Sequence, residues 1–402
     1  MQQLFRIVLA LTLVGSLSVP AAAQVKACVQ GPDGRNIQPG TGGPCVNTVV
    51  SAVPFLRINP DARGGAMGDA GIALSPDANA MHYNASRLAF TEEDLALGAT
   101  YTPWLQALGL NDVYLAYLGG FKKLDENQVV SASLRYFSLG DIQYTDDNNQ
   151  DLGKGKPNEF EVALAYSRKL TETFGLSITA KYLNSNLAAG QQVQGTTLRA
   201  GSAFAADIGA SYRSQPLGPS GNILAIGGAI TNIGNKISYT QDTIRDFLPA
   251  NLGIGAAYTF NLDQYNQITI TGDINKLLVP TPCDGSSDCD RTQNEIDDLS
   301  PISGLLTSFS DAPDGFGEEL RELTFSAGVE YWYAQQFAVR AGYFFEDQTK
   351  GNRKYLTAGL GLKYNIFGIN LSYLVPTSNQ RNPLDNTLRF SLLFDFGQTD
   401  TQ

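Results

Sequence analysis

The chain has 402 residues and a formal net charge of −11, and it holds 41 glycines, 18 tyrosines and 20 phenylalanines but a single histidine. The acidic balance argues against a nucleic-acid-binding protein, because such proteins usually present basic surfaces. Abundant glycine and aromatic residues with few helix signals favour a chain built from many β-strands.

The first 23 residues have the pattern of a secretory signal peptide. Arg6 supplies a positive charge, residues 7–19 are apolar, and a small-residue stretch ends at Ala23. The apolar stretch is too short to cross about 30 Å of hydrocarbon. We therefore predict export and cleavage after Ala23.

No later stretch of the sequence predicts a transmembrane helix. The most apolar one, residues 223–230, is far shorter than the roughly 20 residues that such a helix needs. An exported chain without such a helix is either soluble or a closed barrel, because an open sheet in lipid would leave backbone groups unpaired.

The alternation of apolar and polar residues predicts many β-strands. Residues 176–182 place Leu, Ile, Ala and Tyr on one face and Ser, Thr and Lys on the other, and residues 204–213, 323–331 and 388–396 alternate in the same way. In a soluble sandwich the apolar face would be the core. In a membrane barrel that face contacts lipid and the polar face lines the lumen.

Three features favour the membrane barrel over the sandwich: long predicted strands, tyrosines near strand ends, and connections that alternate between short and long. We predict an all-β fold, a transmembrane antiparallel β-barrel of about 14 strands at residues 93–397. An N-terminal extension and hatch-like segment at residues 24–92 precedes it, and a tail at residues 398–402 follows it. The short turns and both termini are expected on the periplasmic side.

Charged residues on the polar face of the predicted strands have two interpretations. The simpler one is that they pair across the lumen and fill it. The alternative is a charged permeation path, which would need one dominant sign at a constriction. These residues are Arg135, Glu161, Lys181, Asp207, Glu330, Arg340, Lys363, Arg389 and Asp395.

The four cysteines fall into two close pairs. Cys28 with Cys45, and Cys283 with Cys289, are the simplest disulfides for an oxidising compartment, although other pairings are possible. A zinc site is disfavoured because no histidine lies near either pair.

A glycine-rich segment before the first predicted strand resembles a known family. Its pattern consists of Pro60, Asp61, Ala62, Arg63, Gly64, Gly65, Met67, Gly68 and Asp69, followed by Asp77 and Asn84. It resembles the start of the PorV family of the type IX secretion system, and residues 309–313, 330–333 and 336–344 resemble that family's late strands. The chain departs from the wider FadL-like superfamily at Ala85, where that pattern has proline after the asparagine.

The resemblance implies a FadL-like barrel whose N-terminal segment is a hatch. It also implies a role as a shuttle, with three kinds of partner besides outer-membrane lipid. These are a very large translocon barrel of the Sov/SprA type, the C-terminal signal domains of secreted proteins, and a PorU-type attachment complex at the cell surface. The location it implies is the outer membrane.

The long acidic connection at residues 278–320 contains a predicted amphipathic helix. Ser300 can cap a helix that Pro301 opens, and Ile302, Leu305, Leu306 and Phe309 then share one face. One hypothesis is that this element docks on a partner outside the membrane. The alternative is that it folds over its own barrel mouth.

No catalytic, cofactor or metal site is expected, because no nucleophile–base pattern accompanies the single histidine, His82. The predicted function is that of a secretion-system interaction protein. The alternative is a FadL-like transporter of hydrophobic small molecules, which would need a continuous apolar cavity in the barrel.

Overall fold

A computed structural model describes residues 29–30, 36–37, 46–105, 109–110, 112–145, 151–193, 196–240, 245–282, 293–377 and 387–397. The predicted signal peptide, the four cysteines and the tail at residues 398–402 lie outside these residues.

Fourteen of the described strands form one closed antiparallel barrel, as the alternating sequence predicts. Each strand pairs with its neighbours in the chain, and the last strand pairs with the first through partners such as Ser391 and Thr100. Closure leaves no open sheet edge, which is what a sheet surrounded by lipid requires. The strands are β1 Leu95–Pro103, β2 Val113–Asp125, β3 Gln128–Leu139, β4 Asn158–Thr171, β5 Phe174–Asn186, β6 Gly201–Arg213, β7 Ile223–Gly234, β8 Asn251–Asn261, β9 Asn266–Leu277, β10 Leu323–Tyr333, β11 Phe337–Phe345, β12 Lys354–Tyr364, β13 Phe367–Pro376 and β14 Leu388–Phe396.

The two ends of the barrel differ in the length of their connections, as predicted. At one end, called the turn end, the connections are residues 126–127, 172–173, 214–222, 262–265, 334–336 and 365–366. At the opposite end, called the loop end, they are residues 104–112, 140–157, 187–200, 235–250, 278–322, 346–353 and 377–387.

The two faces of the wall have the predicted polarity. On β5, Ile178 points outward and is 59 % exposed, whereas its neighbour Thr179 points into the lumen and is 2 % exposed. A continuous outer surface of Leu, Ile, Val, Phe and Tyr side chains suits contact with lipid. No helix in the described part of the chain has the length and apolar character needed to cross a bilayer.

The remaining elements lie in the N-terminal segment and in the loops. The hatch, residues 54–92, contains the helix α1 Ala62–Gly65 and 3₁₀ turns at Pro54–Arg57, Ala80–His82 and Ala85–Phe90. The longest loop carries α2 Gln293–Asp298, α3 Pro301–Thr307 and α4 Phe316–Arg321. Short hairpins pair Val29–Gln30 with Asn36–Ile37, Ile142–Thr145 with Asp151–Gly155, and Gln192–Val193 with Thr196–Thr197.

Candidate functional site

The hatch crosses the lumen from the loop end to the turn end. Phe55 packs near the loop end against Trp104 and Phe137, and at the turn end the Lys123 N–H donates to the Asp94 carbonyl at 2.8 Å. Residue 46 therefore lies at the loop end of the barrel and residue 397 at the turn end. The two termini themselves lie outside the described residues, so their periplasmic location stays a prediction.

Asp61 caps the one-turn helix α1 in the centre of the lumen. Its carboxylate accepts hydrogen bonds from the N–H groups of Arg63 at 3.0 Å and Gly64 at 2.8 Å. The Asn79 amide donates to the same carboxylate at 2.9 Å. An aspartate in this position satisfies backbone donors that have no partner within the helix.

Arg63 joins the hatch to the barrel wall. Its guanidinium donates to both carboxylate oxygens of Glu330 on β10, at 2.9 and 2.8 Å. Glu330 also accepts from Arg340 on β11 at 2.6 Å. Arg63 donates in addition to Asp77 of the hatch, at 3.0 Å. These side chains are buried, so the doubly hydrogen-bonded pair is a strong and directional contact.

Glycines let the hatch backbone touch the wall. A Cβ added at Gly342 would lie 2.1 Å from the carbonyl carbon of Met67, and one at Gly328 would lie 2.4 Å from the Met67 Cβ. Gly68 has φ +69°, and a Cβ there would lie 2.4 Å from the carbonyl oxygen of Tyr343. Met67 is fully buried. Gly68 of the motif and the wall glycines Gly328 and Gly342 thus allow the hatch backbone to contact the wall directly.

Two further motif residues, Asp69 and Asn84, form hydrogen bonds with side chains of the barrel wall. Asp69 accepts from the Tyr355 hydroxyl on β12 at 2.5 Å and from the Asn59 amide at 2.7 Å. The Asn84 amide donates to the Ser211 hydroxyl on β6 at 3.0 Å, and its oxygen accepts from the Ser86 N–H at 3.2 Å. Asn84 therefore caps the 3₁₀ turn that begins at Ala85.

The other motif residues fill the space between hatch and wall. The Ala62 N–H donates to the Ser391 hydroxyl of β14 at 3.1 Å. A Cβ at Gly65 would lie 2.7 Å from the Arg389 guanidinium. Pro60, Ala62, Gly64 and Gly65 are all buried. The whole motif is thus brought together by the fold, and its contacts hold the hatch in place.

The charged lumen residues pair with one another, as the simpler interpretation predicts. Arg135 lies 4.0 Å from Glu161, and Lys181 lies 2.8 Å from Asp207. Near the turn end, Lys363 lies 2.8 Å from Asp395. Arg389 lies 3.7 Å from Asp69 of the hatch. The opposite signs are interleaved, which does not match a permeation path of one charge.

The hatch lies between two polar cavities. The one nearer the loop end has a volume of about 150 Å³ and includes Arg135, Lys181 and Asp273 in its lining. The one nearer the turn end has a volume of about 400 Å³ and includes Arg63 and Lys363. Neither cavity is the apolar chamber expected of a site for hydrophobic ligands. Within the described ranges, no group of His, Cys, Asp and Glu side chains is arranged to bind a metal ion.

The predicted amphipathic helix forms at the loop end. Ser300 caps α3, and its hydroxyl accepts from the Ser303 N–H at 3.1 Å. The helix packs through Gly304, where an added Cβ would lie 2.5 Å from the Phe247 ring. Leu305 is half-buried.

Five large apolar side chains of this loop are exposed. Ile302, Leu306 and Phe309 are 57 %, 64 % and 46 % exposed, and Phe316 and Leu320 of α4 are 76 % and 50 % exposed. We call these five residues the outer apolar surface. An exposed group of large apolar side chains on a soluble loop marks an interaction site more often than a structural one.

A buried group of charges anchors α4 to the barrel rim. Lys276 at the end of β9 lies 2.8 Å from Glu319 and 2.6 Å from Glu322. Lys350 lies 3.0 Å from Glu322 and also contacts Glu318. These five side chains, called the outer charge cluster, are at most 8 % exposed.

Burial acts to raise the pKa of Glu322. The Lys350 ammonium opposes it, together with hydrogen bonds from Lys276 and from the Thr281 hydroxyl, which lies 2.7 Å away. Their combined effect holds the pKa of Glu322 below its ordinary value. Glu322 is therefore charged at neutral pH.

The outer charge cluster was not found from the sequence. Glu318 and Glu319 belong to the acidic connection at residues 278–320, and the structure buries them against Lys350 and Lys276. Acidic residues spaced along a short helix indicate a charged helix, but nothing in the sequence pairs them with Lys276 and Lys350.

The family model described as type IX secretion system protein PorV matches residues 45–284, more than half of the chain. The chain belongs to the PorV family. No curated protein matches its sequence. The family match and the closed barrel together place it in the outer membrane as an integral β-barrel.

Several solved barrels resemble this PorV family member. The Pseudomonas putida toluene transporter TodX is 12 % identical, with 83 % of this chain and 98 % of that chain covered and a TM-score of 0.47. The Ralstonia pickettii toluene transporter TbuX is 13 % identical, with 85 % and 98 % covered and a TM-score of 0.47. A Pseudomonas aeruginosa FadL homologue is 10 % identical, with 87 % and 100 % covered and a TM-score of 0.46.

Proposed function

We propose that this PorV family protein is the outer-membrane shuttle of a type IX secretion system. It binds the C-terminal signal domains of secreted proteins at a large translocon barrel of the Sov/SprA type and passes them to a PorU-type attachment complex. In this proposal the short turns face the periplasm and the loop end faces the outside. Family membership supports the secretion role, and the outer apolar surface is the observation that carries the mode of action.

The outer apolar surface suits protein contact because it is both apolar and anchored. Leu306 and Phe316 have most of their surface free, while the outer charge cluster holds the helix that carries Phe316. A surface whose backbone is already held in place loses less entropy on binding. We propose that it docks on the translocon or on cargo, rather than closing its own barrel mouth.

The contacts of the hatch favour a function at the outer surface of the barrel over transport of molecules through its lumen. Arg63, Asp61 and Asp69 all hold the hatch in the middle of the barrel, and the cavities on either side are lined by charged groups. A FadL-like transporter of hydrophobic molecules would need an apolar route past these groups. Transport of hydrophobic molecules is therefore the second candidate function. The experiment described below distinguishes it from the secretion role.

No enzymatic activity is proposed. His82 is the only histidine in the sequence, and its Nδ1 lies 2.8 Å from the Arg135 guanidinium. Because an arginine can only donate, that histidine nitrogen accepts the bond. The ring therefore serves packing between hatch and wall.

The test is affinity purification of the tagged protein from mild-detergent membranes, for the unaltered chain and for L306D. We expect the unaltered chain to bring down a very large barrel and exported proteins that share a C-terminal domain. L306D should lose most of these companions, because a carboxylate on the docking face would be desolvated. The matched control is L187D, which places the same charge on an exposed leucine of another loop.

Three results separate the alternatives. If L306D recovers the partners as well as L187D does, the outer apolar surface is not the docking surface. Recovery of the unaltered chain alone would contradict the secretion role. Recovery of the chain with bound fatty acid or aromatic hydrocarbon would favour the transporter.

A further inference from the structure

The cavity of about 150 Å³ on the loop-end side of the hatch, which we call the upper cavity, adjoins a smaller one. The smaller cavity has a volume of about 40 Å³ and lies nearer the rim, where Lys350 of the outer charge cluster is part of its lining. Both cavities are lined by the same four residues, Arg57, Asn251, Leu277 and Thr324. A solute that comes from the loop end therefore reaches the upper cavity by a narrow route past Arg57.

Arg57, the last residue of the 3₁₀ turn Pro54–Arg57, has no hydrogen-bonding partner for its guanidinium among the described residues. Its ion-pair partner, Glu346, is 3.7 Å away, which is too long for a hydrogen bond. The Arg57 side chain lies inside the barrel and is nevertheless 31 % exposed. Because it lines both cavities, its N–H donors are open to a solute there.

Glu346 cannot serve Arg57 well, because a second arginine occupies both of its oxygens. The Arg353 guanidinium donates to them at 2.8 and 2.7 Å, and the Arg353 N–H donates at 3.3 Å. Arg353 also lines the upper cavity, and its guanidinium lies over the Phe344 ring, 5.3 Å from the ring centre. Two guanidinium groups thus share one carboxylate, which leaves an excess of positive charge at this side of the cavity.

The other basic groups of the lining are bonded to the protein. Arg135 donates to the Leu56 carbonyl at 2.7 Å and to His82 Nδ1 at 2.8 Å. Since Nδ1 accepts, the ring hydrogen is on Nε2, and His82 also presents a donor. Lys181 donates to the Asn232 side chain at 2.9 Å.

The two acidic groups of the lining are also bonded. Asp69 accepts from the Tyr355 hydroxyl at 2.5 Å. Asp273 accepts from the N–H groups of Gly71 and Ile72 at 2.6 and 2.9 Å. Among the charged side chains that line the upper cavity in the described part of the chain, Arg57 is thus the one without a hydrogen bond. The partner that it lacks is an acceptor, and an anion is the strongest acceptor for a guanidinium.

We propose that the upper cavity binds one small soluble oxyanion of the phosphate or sulfate class, held by Arg57 with Arg353 beside it. The planar fork of a guanidinium matches two oxygens of such an anion. A cavity of about 150 Å³ has room for the anion and a few waters, whereas the narrow route from the rim suits a free ion and not a lipid headgroup. The proposal does not depend on the secretion role.

The experiment measures binding of labelled inorganic phosphate by equilibrium dialysis. The folded full-length barrel is held in mild detergent with chloride as the only other anion, and heat-modified gel mobility confirms that each variant is folded. We expect one phosphate per chain, displaced by sulfate and not by chloride. Arg57→Gln should bind roughly tenfold more weakly or worse, because it loses a charge-assisted hydrogen bond.

Two further variants sharpen the test. Arg199→Gln removes an exposed arginine of the connection between β5 and β6 and should bind phosphate like the parent. Glu346→Gln removes the carboxylate that competes with the anion for both guanidinium groups, so it should bind phosphate more tightly than the parent.

Three results would overturn the proposal. The first is a parent barrel without saturable phosphate binding. The second is equal affinity of Arg57→Gln and Arg199→Gln. The third is weaker binding by a folded Glu346→Gln barrel. Phosphatidic acid carried in the detergent micelle should leave the bound phosphate in place, and its displacement by that lipid would overturn the assignment to a soluble ion.

Discussion

The hatch network in the lumen and the outer loop at the rim are both built around buried charge, and they differ in what they leave exposed. In the hatch network, Arg63 and Arg340 share the carboxylate of Glu330, and the surrounding residues are buried. At the rim, the outer charge cluster is equally buried, yet the helix that it anchors presents Phe316 and Leu320 to solvent.

This difference indicates that the two regions have different roles. A network whose charged groups are paired and buried holds a structure and presents no surface to a partner protein. An anchored helix with exposed apolar side chains has capacity for a partner. Substitutions in the hatch should therefore change stability, and substitutions on the outer apolar surface should change association without changing stability.

The largest expected effect comes from Glu330→Ala. It leaves two buried guanidinium groups, those of Arg63 and Arg340, without their shared carboxylate, and we expect a loss of about 3–5 kcal/mol in barrel stability. Urea unfolding followed by gel mobility measures this. The control is Asp395→Ala, which breaks a pair whose lysine, Lys363, is partly exposed and which should cost about 1 kcal/mol or less. Equal effects of the two variants would contradict the role assigned to Glu330.

Next in size is Gly342→Ala. The new methyl group would lie 2.1 Å from the Met67 carbonyl carbon, so the hatch must shift, at an expected cost of about 1–3 kcal/mol. The control is Gly272→Ala on the lipid face, where the nearest atom would be 3.5 Å away. We expect that variant to unfold at the same urea concentration as the parent. A stable Gly342→Ala barrel would show that the hatch is not held by this contact.

Acid should release the outer loop before it unfolds the barrel. Because the pKa of Glu322 is held below its ordinary value, the stabilisation is complete above that ordinary value and is lost as the pH falls through the lowered pKa. Pepsin cleavage between residues 293 and 322, corrected with an unfolded substrate, measures the release. Glu322→Gln should be cleaved already at the higher pH values. Cleavage of the parent that does not depend on pH would contradict the prediction.

The smallest effect on stability is expected for Phe316→Ser. Its ring is largely free of contacts, so stability should change by no more than ~0.5 kcal/mol. Partner recovery from membranes should fall clearly, because the docking surface loses its most exposed aromatic side chain. The same unfolding and purification assays compare it with Leu187→Ser. A destabilised Phe316→Ser barrel would place this residue in the fold and not on a docking surface.

Much of the fold could be predicted because it depends on short-range patterns. The barrel, its strand number and the polarity of its faces could be predicted from two patterns. These are the period of two along β5 and β10 and the alternating lengths of the connections. The start of α3 followed from Ser300 and Pro301, which is a local signal.

The features that escaped prediction depend on contacts between distant residues. Lys276 from the end of β9 and Lys350 from the connection between β11 and β12 meet Glu322, and their spacing in the sequence carries no sign of it. The path of residues 46–53 also has no local signal, since Asn47 and Val49 would suit a surface on either side of the membrane. The motif residues could be located from the sequence, but not their task of fixing the hatch to the wall.

The threaded path of the hatch constrains how the protein can be made. The barrel closes where β14 pairs with β1. This pairing cannot form before the N-terminal segment lies in the lumen, because the folded hatch would otherwise have to enter a closed cylinder. The wall must therefore wrap around the hatch during biogenesis, with the hatch acting as a template. Weakened hatch contacts would then lower the yield of inserted barrel as well as the stability of the barrels that form.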